Sequence, residues 1–101
     1  MQAIKNTIEL NIYEDETLEV KKTFQSYGLK WKSFKAIMAK KKDIEKIQAE
    51  DETAAISLIG DVLKMVFPTI TEDDLDDAYM DDLFSTYTQA LNVAEKMAKN
   101  L

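Results

Sequence analysis

The stretch from Asp61 to Leu91, DVLKMVFPTITEDDLDDAYMDDLFSTYTQAL, holds the only proline of the chain, and Pro68 limits more sharply than any other residue what the C-terminal half can become. A proline ring disfavours helical backbone at the residue before it, so an apolar helix running up to Phe67 must end there. Three residues further on, Thr71 precedes Glu72, Asp73 and Asp74. A hydroxyl followed by carboxylates is the pattern that satisfies the free N–H groups and the positive dipole end of a new helix. The spacing predicts a short helix over Glu72–Tyr79. Asp81 and Asp82 repeat the acidic start, and Leu83, Phe84, Tyr87, Leu91, Ala94 and Met97 then recur on one face of a last helix reaching about Lys99.

Upstream the apolar period changes. Ile4, Ile8, Leu10 and Ile12 occupy even positions with Lys5, Thr7, Glu9 and Asn11 between them, the period of two that marks a half-buried strand over Ile4–Tyr13, best patterned from Thr7 to Ile12. After Glu14-Asp15-Glu16, the residues Leu18, Val20 and Phe24 alternate with polar ones, which predicts a second strand antiparallel to the first, with Lys22 marking an edge. Such a hairpin is marginal alone, so its apolar face needs helices or a strand of another copy, and its open edge is a candidate assembly surface. Gly28 marks the exit. Ser33 is a candidate cap for a helix over Ser33–Gln48, with Phe34, Ile37, Met38, Ile44 and Ile47 at helical spacing, and Tyr27 and Trp31 read as a small apolar anchor at the junction. Glu50-Asp51-Glu52-Thr53 opens a central helix whose stripe is Ile56, Ile59, Leu63, Val66 and Phe67, joined by Leu58 and Val62. Gly60 sits inside it, either beneath a closely packed neighbour or merely tolerated.

These elements amount to one domain over residues 1–101, with a hairpin in 1–27 and a helical part in 28–101. The expected class is α+β, mainly a bundle of about four helices carrying an N-terminal β-hairpin. No run of about eighteen apolar residues occurs, and the N-terminus lacks a basic region followed by an apolar one, which predicts a soluble cytosolic protein.

The residue types present exclude most catalytic constellations. There is no cysteine and no histidine, so disulfides, thiolate metal sites and an imidazole base are all ruled out. The serines have no histidine to activate them, and no glycine-rich phosphate loop is present. All 13 basic residues are lysine, which disfavours sites that need the planar fork of arginine, including most base-specific nucleic-acid readout. The aspartates 73, 74, 76, 77, 81 and 82 fail as a calcium loop, because Leu75 and Ala78 break the alternation and no glycine lies among them. They fail as a catalytic pair too, since they read as solvated, helix-capping groups. No cofactor and no metal are expected, and the chain reads as a non-enzyme.

Charge is segregated. Lys21–Lys46 holds nine lysines against two acids, and Glu50–Asp82 holds eleven acids against one lysine, within a net charge of −6. This polarity permits head-to-tail self-association or a partner with complementary patches, and it is equally what two solvated helix faces look like.

The order of apolar helix, Phe-Pro stop, Thr-capped acidic turn and final helix, together with the segment IELNIYEDETLEVKKTF and a Lys-rich helix ahead of it, resembles the tail assembly chaperones of long-tailed bacteriophages and prophages. The resemblance spans most of the chain and rests on order and size, so it carries over a role and no individual residue. It implies a cytoplasmic protein of the infected or lysogenic bacterium that coats the tape measure protein, helps recruit tail tube protein and is absent from the mature virion. Relatives are often also made as a longer frameshifted product. Ala98-Lys99-Asn100 can be encoded by GCA-AAA-AAC, which contains a slippery run.

A protein with that role needs an apolar groove for amphipathic helices. Flexible methionines and rigid aromatics suit such a surface, which makes Met38, Met65, Phe67, Met80, Phe84, Tyr87 and Met97 the candidate partner-binding residues, with a core role as the alternative for most of them. Two other readings are an acidic host-takeover or regulatory binder for a basic protein, and a structural tail protein such as a ring-forming tail terminator.

Overall fold

The computed structural model describes residues 7–14, 17–47 and 52–100. In chain order they form β1 (Ile8–Tyr13), β2 (Val20–Ser26), α1 (Trp31–Ile47), α2 (Glu52–Val66), α3 (Glu72–Asp77) and α4 (Met80–Lys99). The class is α+β, a helical bundle with an N-terminal antiparallel hairpin. The molecule is 19 Å through its thinnest dimension, which leaves room for two layers of elements.

The hairpin pairs Ile8 with Ser26, Leu10 with Phe24 and Ile12 with Lys22. The register then slips to Tyr13 with Val20, leaving Lys21 as a bulge. Ile8, Leu10 and Ile12 are almost wholly buried, as their alternation requires, while Ile4 lies outside the described residues. The helices α1, α2 and α4 pack on one another, and α4 also lies across β1. Thr86 Oγ1 donates to the Glu9 carbonyl oxygen at 2.7 Å, and the Glu9 N–H donates to Gln89 Oε1 at 3.0 Å. Side chains of α4 thus take up backbone groups on the outer edge of β1.

The second strand departs from expectation. Leu18 and Val20, expected on its apolar face, are 67% and 52% exposed, and only Phe24 turns inward, its ring 5.9 Å from that of Phe67. The helix α4 packs on β1, so β1 is covered while most of β2 stays exposed. Leu18 has left-handed backbone (φ 59°), the one described non-glycine residue that does, at the tip between the strands. Gly28 has φ 148°, which a side chain would oppose, and it makes the exit turn.

Helix boundaries shift for local reasons. The helix α1 begins at Trp31 rather than Ser33, since the Phe34 N–H already reaches the Lys30 carbonyl, and Ser33 is buried within the first turn instead of capping it. Trp31 is an exposed anchor rather than a buried one, stacked against Phe34 at 5.2 Å, and Tyr27 is likewise exposed. The helix α2 stops at Val66, one residue before Phe67, as Pro68 demands. Its Ile56, expected in the buried stripe, is 55% exposed. The helix α3 closes at Asp77, short of Tyr79, because Ala78 turns to extended backbone. Asp81 and Asp82 lie inside the first turn of α4, where Tyr79 is the cap and makes no side-chain hydrogen bond.

Thr71 caps α3 as the sequence requires, and reciprocally. Its hydroxyl accepts from the Asp74 N–H at 3.1 Å, and the Asp74 carboxylate accepts from the Thr71 N–H at 3.1 Å. The second Asp74 oxygen receives Lys22 Nζ from β2 at 2.7 Å.

The segregated charges meet within the fold. Lys21 lies 3.9 Å from Asp77, Lys40 3.8 Å from Asp61 and Lys41 3.6 Å from Glu95, and Lys64 bonds Glu72. The polarity of the sequence is therefore answered in part inside one chain, where Lys21, Lys22 and Lys40 reach acids of the acidic stretch.

Candidate functional site

The seven residues expected to form a partner-binding groove do not converge. Phe67 and Tyr87 are buried in the core, and Met38 and Met97 are partly buried against it. Burial also raises the Tyr87 hydroxyl above its usual pKa, with the Glu45 charge adding to the effect. Met65 lies apart, beside a hollow of about 520 Å³ lined by Lys30, Lys32 and Lys64 together with Leu29 and Pro68. Only Met80 and Phe84 share a site.

That site is a groove of about 220 Å³ between α2, α3 and α4. Ile59, Leu63 and Leu75 make its floor, and Ile56, Met80, Leu83 and Phe84 make its walls. Ile56, Met80 and Phe84 are 55%, 59% and 39% exposed, so the walls are apolar surface held in water. The geometry follows from local sequence. Pro68 ends α2, the turn through Thr71 reverses the chain, and the six-residue α3 is too short to cover both neighbours. The start of α4 therefore stands beside α2 from Ile56 to Lys64 with a gap between them.

Sequence reasoning missed Ile56 as a groove residue. The available signal was the excess of apolar positions in α2: a stripe holding Ile56, Leu58, Ile59, Val62, Leu63, Val66 and Phe67 is wider than one interface can bury.

The rim is acidic. Asp61, Glu72 and Asp76 line the groove with one cation, Lys64. The Glu72 carboxylate holds the Lys64 ammonium above its ordinary pKa, so Lys64 stays charged and pinned at the rim. Asp73 and Asp76 have no lysine partner among the described residues, whereas Glu72, Asp74 and Asp77 each have one.

Asp74 is set apart from the other acids. It is buried, and its carboxyl is held below the usual carboxylate range, first by the Lys22 hydrogen bond and then by the Thr71 backbone N–H. Each of its oxygens has a structural partner, which makes it a fastener of α3 rather than a reactive group. Among the described residues no group of three His, Cys, Asp or Glu side chains is arranged to hold a metal ion, and no helix is long and apolar enough to cross a membrane.

Gly60 lies on the groove lining, and a methyl group added there would meet Leu75 Cδ1 at 3.8 Å, an ordinary contact. No close approach requires the glycine. Gly60→Ala is expected to stabilise the protein by about 0.5–1 kcal/mol through helix propensity and a less free unfolded chain, seen as a higher urea midpoint at unchanged slope.

Compared with known protein families, curated proteins and solved structures, the chain matches none.

Proposed function

We propose that this protein is a bacteriophage tail assembly chaperone, a non-enzymatic adaptor that holds an amphipathic helix of the tape measure protein and assists tail tube assembly in the host cytoplasm. The observation that carries the reading is the open groove between α2, α3 and α4, with Ile56, Met80 and Phe84 exposed on its walls. An apolar trough flanked by carboxylates suits a helix with an apolar face and basic flanks. A flexible methionine one helical turn from a rigid phenylalanine suits successive, non-identical stretches of one long helical protein. The resemblance in element order and size points to the same role. The reading as an acidic imitator of nucleic acid has less support, because Glu72, Asp74 and Asp77 are occupied by lysines of the same chain.

Co-expression with a tape measure fragment tests this. The wild-type chain is expected to move the fragment from the pellet to the soluble fraction. Phe84→Asp is expected to lose most of that rescue while its far-ultraviolet circular dichroism and thermal midpoint stay near wild type, since the ring is already partly in water. An unchanged pellet with the wild-type chain would sink the assignment. Rescue by wild type and variant alike would leave the chaperone and remove the groove.

A further inference from the structure

We infer that the free edge of β2 pairs with the same edge of a second copy, joining two hairpins into a four-stranded antiparallel sheet about a two-fold axis at Thr23. The inference is independent of what fills the groove.

Hydrogen-bond parity identifies the free edge. Both backbone groups of Glu9 bond to α4, so Glu9 turns its N–H and C=O away from β2, and its cross-strand partner Gln25 must turn its own away from β1. Two residues earlier Thr23, opposite Asn11, does the same. The two outer edges of the hairpin are therefore unequal. On β1 the outward groups of Glu9 are taken up by Thr86 and Gln89, whereas no described residue outside the hairpin bonds the backbone of Thr23 or Gln25.

The lysine guards of this edge are disarmed. Lysines on an edge strand keep other chains away. Here Lys22 is drawn onto Asp74 at 2.7 Å and Lys21 toward Asp77 at 3.9 Å, so both ammonium groups are matched by α3 of their own chain.

Symmetry selects the register. Thr23 is the midpoint of Val20–Ser26 and presents its backbone outward, so a two-fold axis there lays the strand against its copy along its length, with regular pairing around Thr23 and the bulge at Lys21 toward each end. Thr23 then faces the second copy's Thr23 in a reciprocal pair of hydrogen bonds, Gln25 faces the second copy's Lys21, and no lysine stands opposite a lysine. Centring on Lys21 would oppose two lysines across the bulge. Centring on Gln25 would run the pairing into the turn at Gly28, whose φ is 148°.

The exposed apolar side chains fit this arrangement. Leu18 and Val20 stand at one end of the edge, with Tyr27 and Trp31 beyond the other. Antiparallel pairing about Thr23 brings each end beside the opposite end of the second copy, so Val20 meets the second copy's Ser26 and Leu18 approaches its Tyr27. Both ends of the joint thereby cover apolar surface that one chain leaves in water.

The chain has no cysteine, which allows a direct test of register. Directly opposed residues of a hydrogen-bonded antiparallel pair have Cα atoms about 5.5 Å apart, within disulfide range. Thr23→Cys is therefore expected to form a disulfide-linked dimer on mild oxidation. Gln25→Cys is expected to stay uncrosslinked, because its own copy lies four residues away along the strand, about 13 Å. Sedimentation equilibrium of the wild-type chain should give a dimer, and Thr23→Lys should raise its dissociation constant about tenfold or more by setting two lysines opposite each other and losing apolar contact nearby. Thr23 is exposed, so the monomer's circular dichroism should not change. A monomer at every concentration would overturn the proposal. So would equal crosslinking at positions 23 and 25, which would mean random collision, or crosslinking at 25 alone, which would mean another register.

Discussion

Leu63→Ala is expected to cost about 2–5 kcal/mol of unfolding free energy, the larger of two strong single-residue effects. The side chain is fully buried near the C-terminal end of α2, where it contributes to the core shared with α1 and α4 and also to the floor of the groove. Truncation removes buried methyl groups and leaves a cavity that close-packed neighbours fill only in part. A domain of this size has roughly 5–15 kcal/mol of stability in total, so the loss is a large fraction, and thermal unfolding should fall by roughly 4–8 °C for each kcal/mol. Chemical denaturation at constant slope measures it. The contrast with Phe84→Asp separates the two layers of one site. The floor residue is expected to carry stability, and the wall residue to carry partner binding with little effect on stability. If Leu63→Ala unfolds within about 1 kcal/mol of wild type, that side chain is not packed as described.

Asp74→Ala is expected to cost about 2–3 kcal/mol, because one carboxylate serves three purposes. It completes the capping box of α3, favours the positive end of that helix and anchors Lys22 of β2 across 52 positions of sequence. The variant leaves the Thr71 N–H without its acceptor and Lys22 without its partner. The effect must depend on pH in a definite direction. The folded state holds the Asp74 pKa below its unfolded value, so the ionised group stabilises the fold at neutral pH, above the unfolded value of about 3.9. That contribution declines as pH falls past the unfolded pKa and is gone below the lowered folded one. The stability gap between wild type and Asp74→Ala should therefore be full at pH 7 and shrink on acidification through this window. A gap that stays constant down to about pH 2 would show that charge on Asp74 contributes nothing.

Elements that depend on neighbouring residues were legible. The period of two in Ile8–Ile12, the stop at Phe67-Pro68 and the Thr71 cap all follow from backbone geometry within a few residues, and each stands where the sequence places it. Gly60 shows the opposite case, because its spatial neighbour, Leu75, belongs to another helix. The candidate site was legible only in part. Choosing methionines and aromatics by type found Met80 and Phe84, but it also selected Phe67 and Tyr87, which fill the core, and it missed Ile56. Residue type reports what a side chain can do in a groove, whereas exposure depends on which stretch of an apolar stripe the neighbouring helices fail to reach.

The sequence by itself determined the elements, their order and the α+β class, since strand alternation, helical spacing, proline and caps act over a few bonds. Only the tertiary structure decided three further things: that Lys22 finds Asp74, that α4 takes up the outer edge of β1 while no described residue outside the hairpin takes up that of β2, and that α3 is too short to seal the gap between α2 and α4. Each depends on how far one packed element extends over another, and that is set by the three-dimensional fit of side chains distant in sequence rather than by any local pattern.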